Sequence, residues 1–172
     1  MRLTILTTGG TIDKSYDEFQ GNLRNEQTAI DVMLDSLRLP DLEIRRVEVM
    51  HKDSLDMTEE DRRIIAHAVR RAVPSSDAVV ILHGTDTLSI TGELLCSECA
   101  NLGIPVILTG AMRPYEFRDT DALQNVIESL LAARLLDAGV FVVMHNRVLR
   151  FPGVVKDRQA GTFVRKSEAQ SI

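Results

Sequence analysis

Two short segments combine hydroxyls, glycines and a carboxylate in a pattern that suits nucleophilic chemistry. The first is Thr7-Thr8-Gly9-Gly10-Thr11-Ile12 and the second is His83-Gly84-Thr85-Asp86-Thr87. Glycine lets the backbone turn tightly and approach a ligand, because no Cβ intervenes. A threonine hydroxyl at such a turn is held out rather than packed inside. Two such hydroxyls beside a carboxylate suggest a nucleophile site, provided a base is near. Each segment also has a plainer reading. A Gly-rich turn after a strand can cradle phosphate, but the first segment has no Gly-x-Gly-x-x-Gly and no phosphate-loop lysine. The second could be a tight turn followed by a Thr or Asp helix cap. Whether the two do chemistry together depends on whether the fold brings them to one place.

The elements around them predict that it does. Leu3 to Leu6 precedes the first segment and Ala78-Val79-Val80-Ile81-Leu82 the second, and such unbroken apolar runs read as strands buried on both faces. Strands are expected over Arg2 to Thr7, Glu43 to Met50, 77–82, Ile104 to Thr109 and Val140 to His145. Helices are expected between them. One covers Thr28 to Leu37, with Ile30, Met33, Leu34 and Leu37 on one face. A second runs from the cap Thr58, with Asp61 in a capping-box position, to Val73, and turns Ile64, Ile65, Ala68, Val69 and Ala72 inward. A third covers Thr87 to Leu102 and stops at Gly103. A fourth runs from Asp119 or Thr120 to Leu136, with the stripe Leu123, Val126, Ile127, Leu130 and Leu131. The tail, 147–164, reads as a hairpin turning at Phe151-Pro152-Gly153. Residues 12–26 are polar and aperiodic, a long loop or loose hairpin and a candidate lid.

This alternation predicts a doubly wound α/β fold of Rossmann or flavodoxin type: three layers, with helices on both faces of a mainly parallel sheet. Right-handed crossovers put all strand C-termini on one edge, and ligands bind there, where strand order reverses. Both Thr-Gly segments belong to that edge. So does a third strand-end loop, Gly110-Ala111-Met112-Arg113-Pro114, in which Arg113 has Asp119 and Asp121 available as partners.

Composition narrows the function. A chain of 172 residues is most simply one domain, able to bury about 70% of its unfolded surface without a metal or disulfide staple. The net charge of −5 argues against a nucleic-acid groove. No apolar run reaches the length of a spanning helix, and Arg2 alone precedes a short apolar stretch, so a cytoplasmic protein without a membrane partner is expected. Cys96 and Cys99 read as small semi-buried hydrophobes. His51, His67 and His145 lack metal-ligand spacing, so no metal is expected, and His83, after a buried strand, reads as a structural histidine.

With these residues in place a resemblance becomes specific. Thr8-Gly9-Gly10-Thr11-Ile12 and His83-Gly84-Thr85-Asp86-Thr87 resemble the two signature segments of the bacterial-type L-asparaginases, and Gly110-Ala111-Met112-Arg113-Pro114 resembles a third. The resemblance covers residues 3 to about 156 and implies the N-terminal domain of that family. Longer members carry a second, C-terminal domain. This chain resembles a short-chain form, with 1–172 expected to be a single asparaginase-like domain.

The implied activity is hydrolysis of the side-chain amide of L-asparagine to L-aspartate and ammonia, without a cofactor, in a homodimer or homotetramer. The resemblance implies that Thr11 is the nucleophile, that Thr85 and Asp86 are the second threonine and its aspartate, and that Lys156 is the site lysine. Ser54, in Ser54-Leu55-Asp56-Met57, matches a serine that contacts the substrate α-carboxylate; Leu55 stands where the family usually has Gln. Tyr16 matches the loop tyrosine, with Tyr115 as its competitor. Backbone N–H groups around Gly10 and Gly84 are candidates for an oxyanion hole, and Asp86 for the substrate α-ammonium. Two other readings stand beside this one: an amidohydrolase for another amide such as glutamine, and a non-catalytic domain that binds acidic amino acids.

Overall fold

A computed structural model describes residues 1–13, 15–17, 22–24, 29–99 and 101–169, with the backbone alone at 13, 15–17 and 22–24. The chain opens with strand β1 (Arg2–Thr7) and a one-turn 3-10 helix, Thr11–Asp13. A short antiparallel pair follows, β2 (Ser15–Asp17) and β3 (Asn22–Arg24), so the polar segment contains a loose hairpin. Next come α1 (Ala29–Ser36), β4 (Glu43–Glu48) and α2 (Glu59–Ala72). Thr58 and Asp61 close the expected capping box on α2. Then come β5 (Ala78–Leu82), α3 (Leu88–Glu98) and β6 (Pro105–Thr109). The chain continues through α4 (Ala122–Leu135), β7 (Gly139–Met144), β8 (Arg147–Arg150), β9 (Val154–Asp157) and β10 (Thr162–Arg165).

Six strands form one sheet in the order β4-β1-β5-β6-β7-β8. The first five are parallel and β8 is antiparallel at the edge. Strand order reverses between β1 and β5, which pair directly with Thr7 opposite Leu82. The two Thr-Gly segments leave the sheet at these neighbouring positions, so they flank the crevice where such a sheet binds ligands.

Alternation along each strand feeds two cores. Leu6, Val79, Ile81, Val106, Leu108, Val140 and Val142 pack against α2 and α3. Leu3, Ile5, Ala78, Val80, Leu82, Ile107 and Phe141 pack against α1 and α4. All five residues of β5 are buried, and each Val, Leu or Ile so buried contributes roughly 1.5–3 kcal/mol of hydrophobic stabilisation. Among the described residues no helix is long and apolar enough to cross a membrane. Cys96 and Cys99 are free thiols, Cys99 buried.

The structure corrects several expectations. The tail hairpin forms elsewhere: β8 pairs back onto β7 through His145-Asn146, both at positive φ (53° and 59°). Two successive left-handed residues are what a two-residue type I′ hairpin demands. β9 pairs instead with β10. The third helix ends at Glu98 rather than Leu102, and Gly103, at φ +73°, belongs to the turn into β6. The fourth starts at Ala122, whose N–H donates to the Thr120 hydroxyl. The buried stripe of α2 is Arg62, Ile65, Ala66, Val69 and Ala72, while Ile64 is exposed. On α4 the polar Asn125 and Ser129 are buried, and Ile127 and Leu131 face outward.

Candidate active site

Backbone contact, made possible by glycine, draws the motifs together. Gly9 and Gly10 adopt φ of +91° and +97°, open to glycine without strain. A Cβ on Gly10 would lie 2.6 Å from the Gly84 nitrogen, so the two signature segments touch main chain to main chain. A Cβ on Gly84 would lie 2.6 Å from Ser54 Oγ, and one on Gly110 would lie 2.2 Å from the His83 carbonyl oxygen. Four segments thus meet with no room for a side chain between them.

Thr11 and Thr85 each sit one residue from the Gly10–Gly84 contact. Thr11 opens the 3-10 turn and is half-buried, its neighbour Ile12 being fully buried in the α1 and α4 core. Thr85 is 5% exposed. Lys156 arrives from β9, opposite Phe163 of β10. Phe151, Val154 and Phe163 anchor this hairpin in the other core, and the Phe151 ring lies over Gly92 of α3, where a Cβ would come within 2.1 Å. Held there, Lys156 Nζ donates to Thr85 Oγ1 at 2.8 Å and to Asp86 Oδ1 at 2.9 Å. Arg158, exposed, approaches the same Asp86 oxygen at 3.8 Å.

Ser54 is buried, and the Thr87 hydroxyl donates to its carbonyl at 2.7 Å. Asp53 caps this turn by accepting the Leu55 N–H, leaving the Leu55 side chain 65% exposed. The Tyr16 side chain lies outside the described residues; its backbone belongs to β2. Tyr115 packs against the α1 and α4 core.

The third segment is fixed by Asp121, which accepts the N–H groups of Met112 and Arg113 and bonds to Asn125 and His145. Burial pushes the Asp121 carboxyl up, but those amides and the His145 ring outweigh it and hold the group below its ordinary value. Arg113 pairs with Asp119.

His83 is fully buried and satisfied on both ring nitrogens, as expected for a structural histidine. Nδ1 faces the Gly84 carbonyl and Nε2 the Thr91 hydroxyl, each at 2.8 Å. Thr91 in turn accepts from Arg62 at 2.8 Å. Burial drives the imidazole pKa down to about 4; the Gly84 carbonyl opposes this and the Arg62 charge reinforces it.

A pH dependence follows. The unfolded chain takes up this proton near the ordinary value of 6.5, the folded one near 4. Stability is therefore fully present above 6.5 and lost as pH falls from there toward 4. At about 1.4 kcal/mol per pKa unit, His83 alone removes about 3 kcal/mol. Urea unfolding of wild type and His83→Asn at pH 7 and pH 4 isolates this: the variant should lose about 3 kcal/mol less. Equal losses would show that the histidine titrates normally.

Sequence reasoning passed over Arg62, Thr91 and Arg158. Arg62 stands three residues before Ile65, in phase with the buried stripe, and that phase was its signal. Arg158 lies in the turn that follows β9, two residues beyond Lys156, where strand alternation gives no signal.

The sequence model of the family described as Asparaginase, N-terminal, matches residues 2–169. An L-asparaginase of Thermococcus kodakarensis is 33% identical over 163 residues, which are 94% of this chain and 49% of the relative. A glutamyl-tRNA(Gln) amidotransferase subunit of Pyrococcus abyssi is 36% identical over 149 residues, 84% of this chain and 33% of that one. The solved structure of the thermostable L-asparaginase from Thermococcus kodakarensis superposes with a TM-score of 0.84 at 30% identity, covering 96% of this chain and 51% of that one. The chain thus spans between a third and a half of the length of these curated relatives.

Proposed function

The chain belongs to the asparaginase family, and from that premise we propose that it hydrolyses the side-chain amide of L-asparagine to L-aspartate and ammonia through a threonine nucleophile. The observation that carries this reading is the placement of Lys156 Nζ within hydrogen-bonding reach of both Thr85 Oγ1 and Asp86 Oδ1, beside the glycine contact that brings Thr11 near.

An amide carbonyl is a poor electrophile, and a threonine hydroxyl attacks it only when a base takes its proton. In the proposed route Thr11 Oγ adds to the side-chain amide carbon and gives up its proton. The C–N bond breaks, and the nitrogen leaves as ammonia carrying that proton. Water then adds to the Thr11 ester, losing a proton to the Thr85–Lys156 pair. The ester bond breaks, aspartate departs and Thr11 regains its proton. Lys156 serves as the base, reaching the Thr85 hydroxyl directly.

Backbone N–H groups of the two Gly turns stabilise the oxyanion, each donor worth about 3 kcal/mol in the transition state. Asp86 receives the substrate α-ammonium and Ser54 its α-carboxylate, while the segment carrying Tyr16 closes over them. Assembly into a homo-oligomer is part of the proposal, supported by the exposed Ile127, Leu131 and Leu135 of α4. The two unpaired cysteines suit a reducing cytoplasm.

A second reading is amide hydrolysis of another donor such as glutamine, alongside a partner protein. The amidotransferase relative and the apolar, exposed Leu55 favour it. Ammonia release by the purified protein from L-asparagine, L-glutamine and D-asparagine separates the two. Turnover of L-asparagine well above the others is expected. Preference for glutamine would move the assignment to the second reading, and silence on all three from folded protein would defeat both.

A further inference from the structure

The chemistry above leaves a buried cation without a role. Arg62 is 5% exposed, on the inward stripe of α2. Among the described residues no carboxylate forms an ion pair with it; its guanidinium donates to Thr91 Oγ1 and, at 3.2 Å, to the Met57 carbonyl. Burial disfavours the Arg62 charge and the nearby Asp61 offsets only part of this, and an apolar side chain would fill this place without that cost.

The hydrogen bonds leading away from Arg62 have a fixed direction. A guanidinium only donates, so Thr91 Oγ1 accepts from it and keeps its own proton to give away. At the other end the Gly84 carbonyl only accepts, so His83 carries its proton on Nδ1. The bare Nε2 then accepts from Thr91. The chain runs Arg62 to Thr91 to His83 to the Gly84 carbonyl, and Thr91 and His83 are both fully buried. In a planar trans peptide, the carbonyl of one residue and the N–H of the next point in opposite directions. With the Gly84 carbonyl held toward the core, the Thr85 N–H is turned to the outer side of the peptide. No described residue accepts a hydrogen bond from that N–H.

We propose that Arg62 is a positioning residue: through Thr91 and His83 it pins the Gly84–Thr85 peptide and so aims the Thr85 N–H at the substrate carbonyl as an oxyanion donor. This rests on the amidase reading. Successive hydrogen bonds polarise one another, so the cation also strengthens the terminal donor. Thr85 then has two roles, its amide on the oxyanion and its hydroxyl on Lys156.

The test combines kinetics with spectroscopy. Arg62→Met keeps the volume and removes the donors; Arg62→Lys restores one. A donor used only in the transition state acts on kcat and leaves KM alone. Arg62→Met should lower kcat on L-asparagine by roughly tenfold to a hundredfold with KM within about twofold, and Arg62→Lys should recover most of it. In wild type without substrate, nitrogen NMR should find the His83 proton on Nδ1, where the Gly84 carbonyl holds it.

An unchanged kcat in Arg62→Met, or a loss confined to KM, overturns the proposal. A wild-type His83 protonated on Nε2 overturns it too, whatever the variants do. If Arg62→Met does not fold, Thr91→Val takes its place with the same expectations. Wild-type turnover of asparagine with an unaffected Arg62→Met removes this inference alone; no turnover by wild type removes the amidase reading first.

Discussion

Thr11→Ala should lower kcat on L-asparagine by on the order of 10³-fold or more while the protein folds normally. The hydroxyl lost is that of a half-buried residue, and the turn is pinned by Ile12 rather than by Thr11 itself, so a stability change within about 1 kcal/mol is expected. The variant also separates classes of function. An enzyme loses rate and keeps its affinity for L-aspartate by calorimetry, whereas a binding domain has no rate to lose. Rapid-quench mass spectrometry on wild type should find an acyl group on Thr11. Turnover of Thr11→Ala within tenfold of wild type would pass the attack to water activated at Thr85.

Lys156→Met should cost between about 10²- and 10⁴-fold in kcat/KM, the span of a single positioned proton carrier. Methionine matches the lysine stem, and the side chain is 16% exposed, so packing is largely kept. Asp86 loses a cation but keeps Arg158 nearby, so binding of the substrate ammonium should survive better than turnover. Calorimetry with L-aspartate is the discriminating measurement: affinity should be largely kept while turnover falls. A variant retaining more than a tenth of the activity would mean that another group moves the proton.

The strands and the sheet edge were readable because unbroken apolar runs have few other uses, and because strand-end glycines fall where an α/β sheet binds ligands. The Thr58–Asp61 capping box was readable for a similar reason: its chemistry is local. Errors arose where distant partners decide the outcome. Asn125 is buried because it donates to the Gly110 carbonyl and accepts from the His145 N–H, contacts that helical periodicity cannot register. They rotate α4 and turn Ile127 outward. The β7–β8 hairpin was missed because two residues, His145 and Asn146, suffice to reverse the chain without glycine or proline. Arg62 escaped notice because a buried arginine is uncommon. The meeting of Lys156 with Thr85 depended on which strand β9 chose as partner, and the resemblance, not the pattern, pointed to Lys156.

The glycine contact also has a meaning for descent. Gly10, Gly84 and Gly110 each face the backbone or a buried side chain of another segment, at distances that exclude even a methyl group. Mutation at Gly10 or Gly110 cannot be offset by trimming a neighbour's side chain, because there the obstacle is main chain, whereas at Gly84 it is the Ser54 side chain. Under selection for the same geometry, a lineage would cross a fold-breaking intermediate to change Gly10 or Gly110, and would have to change Ser54 along with Gly84. The outer residues of α4 meet no such barrier. New assemblies and specificities can therefore arise on that surface while the knot of glycines stays fixed.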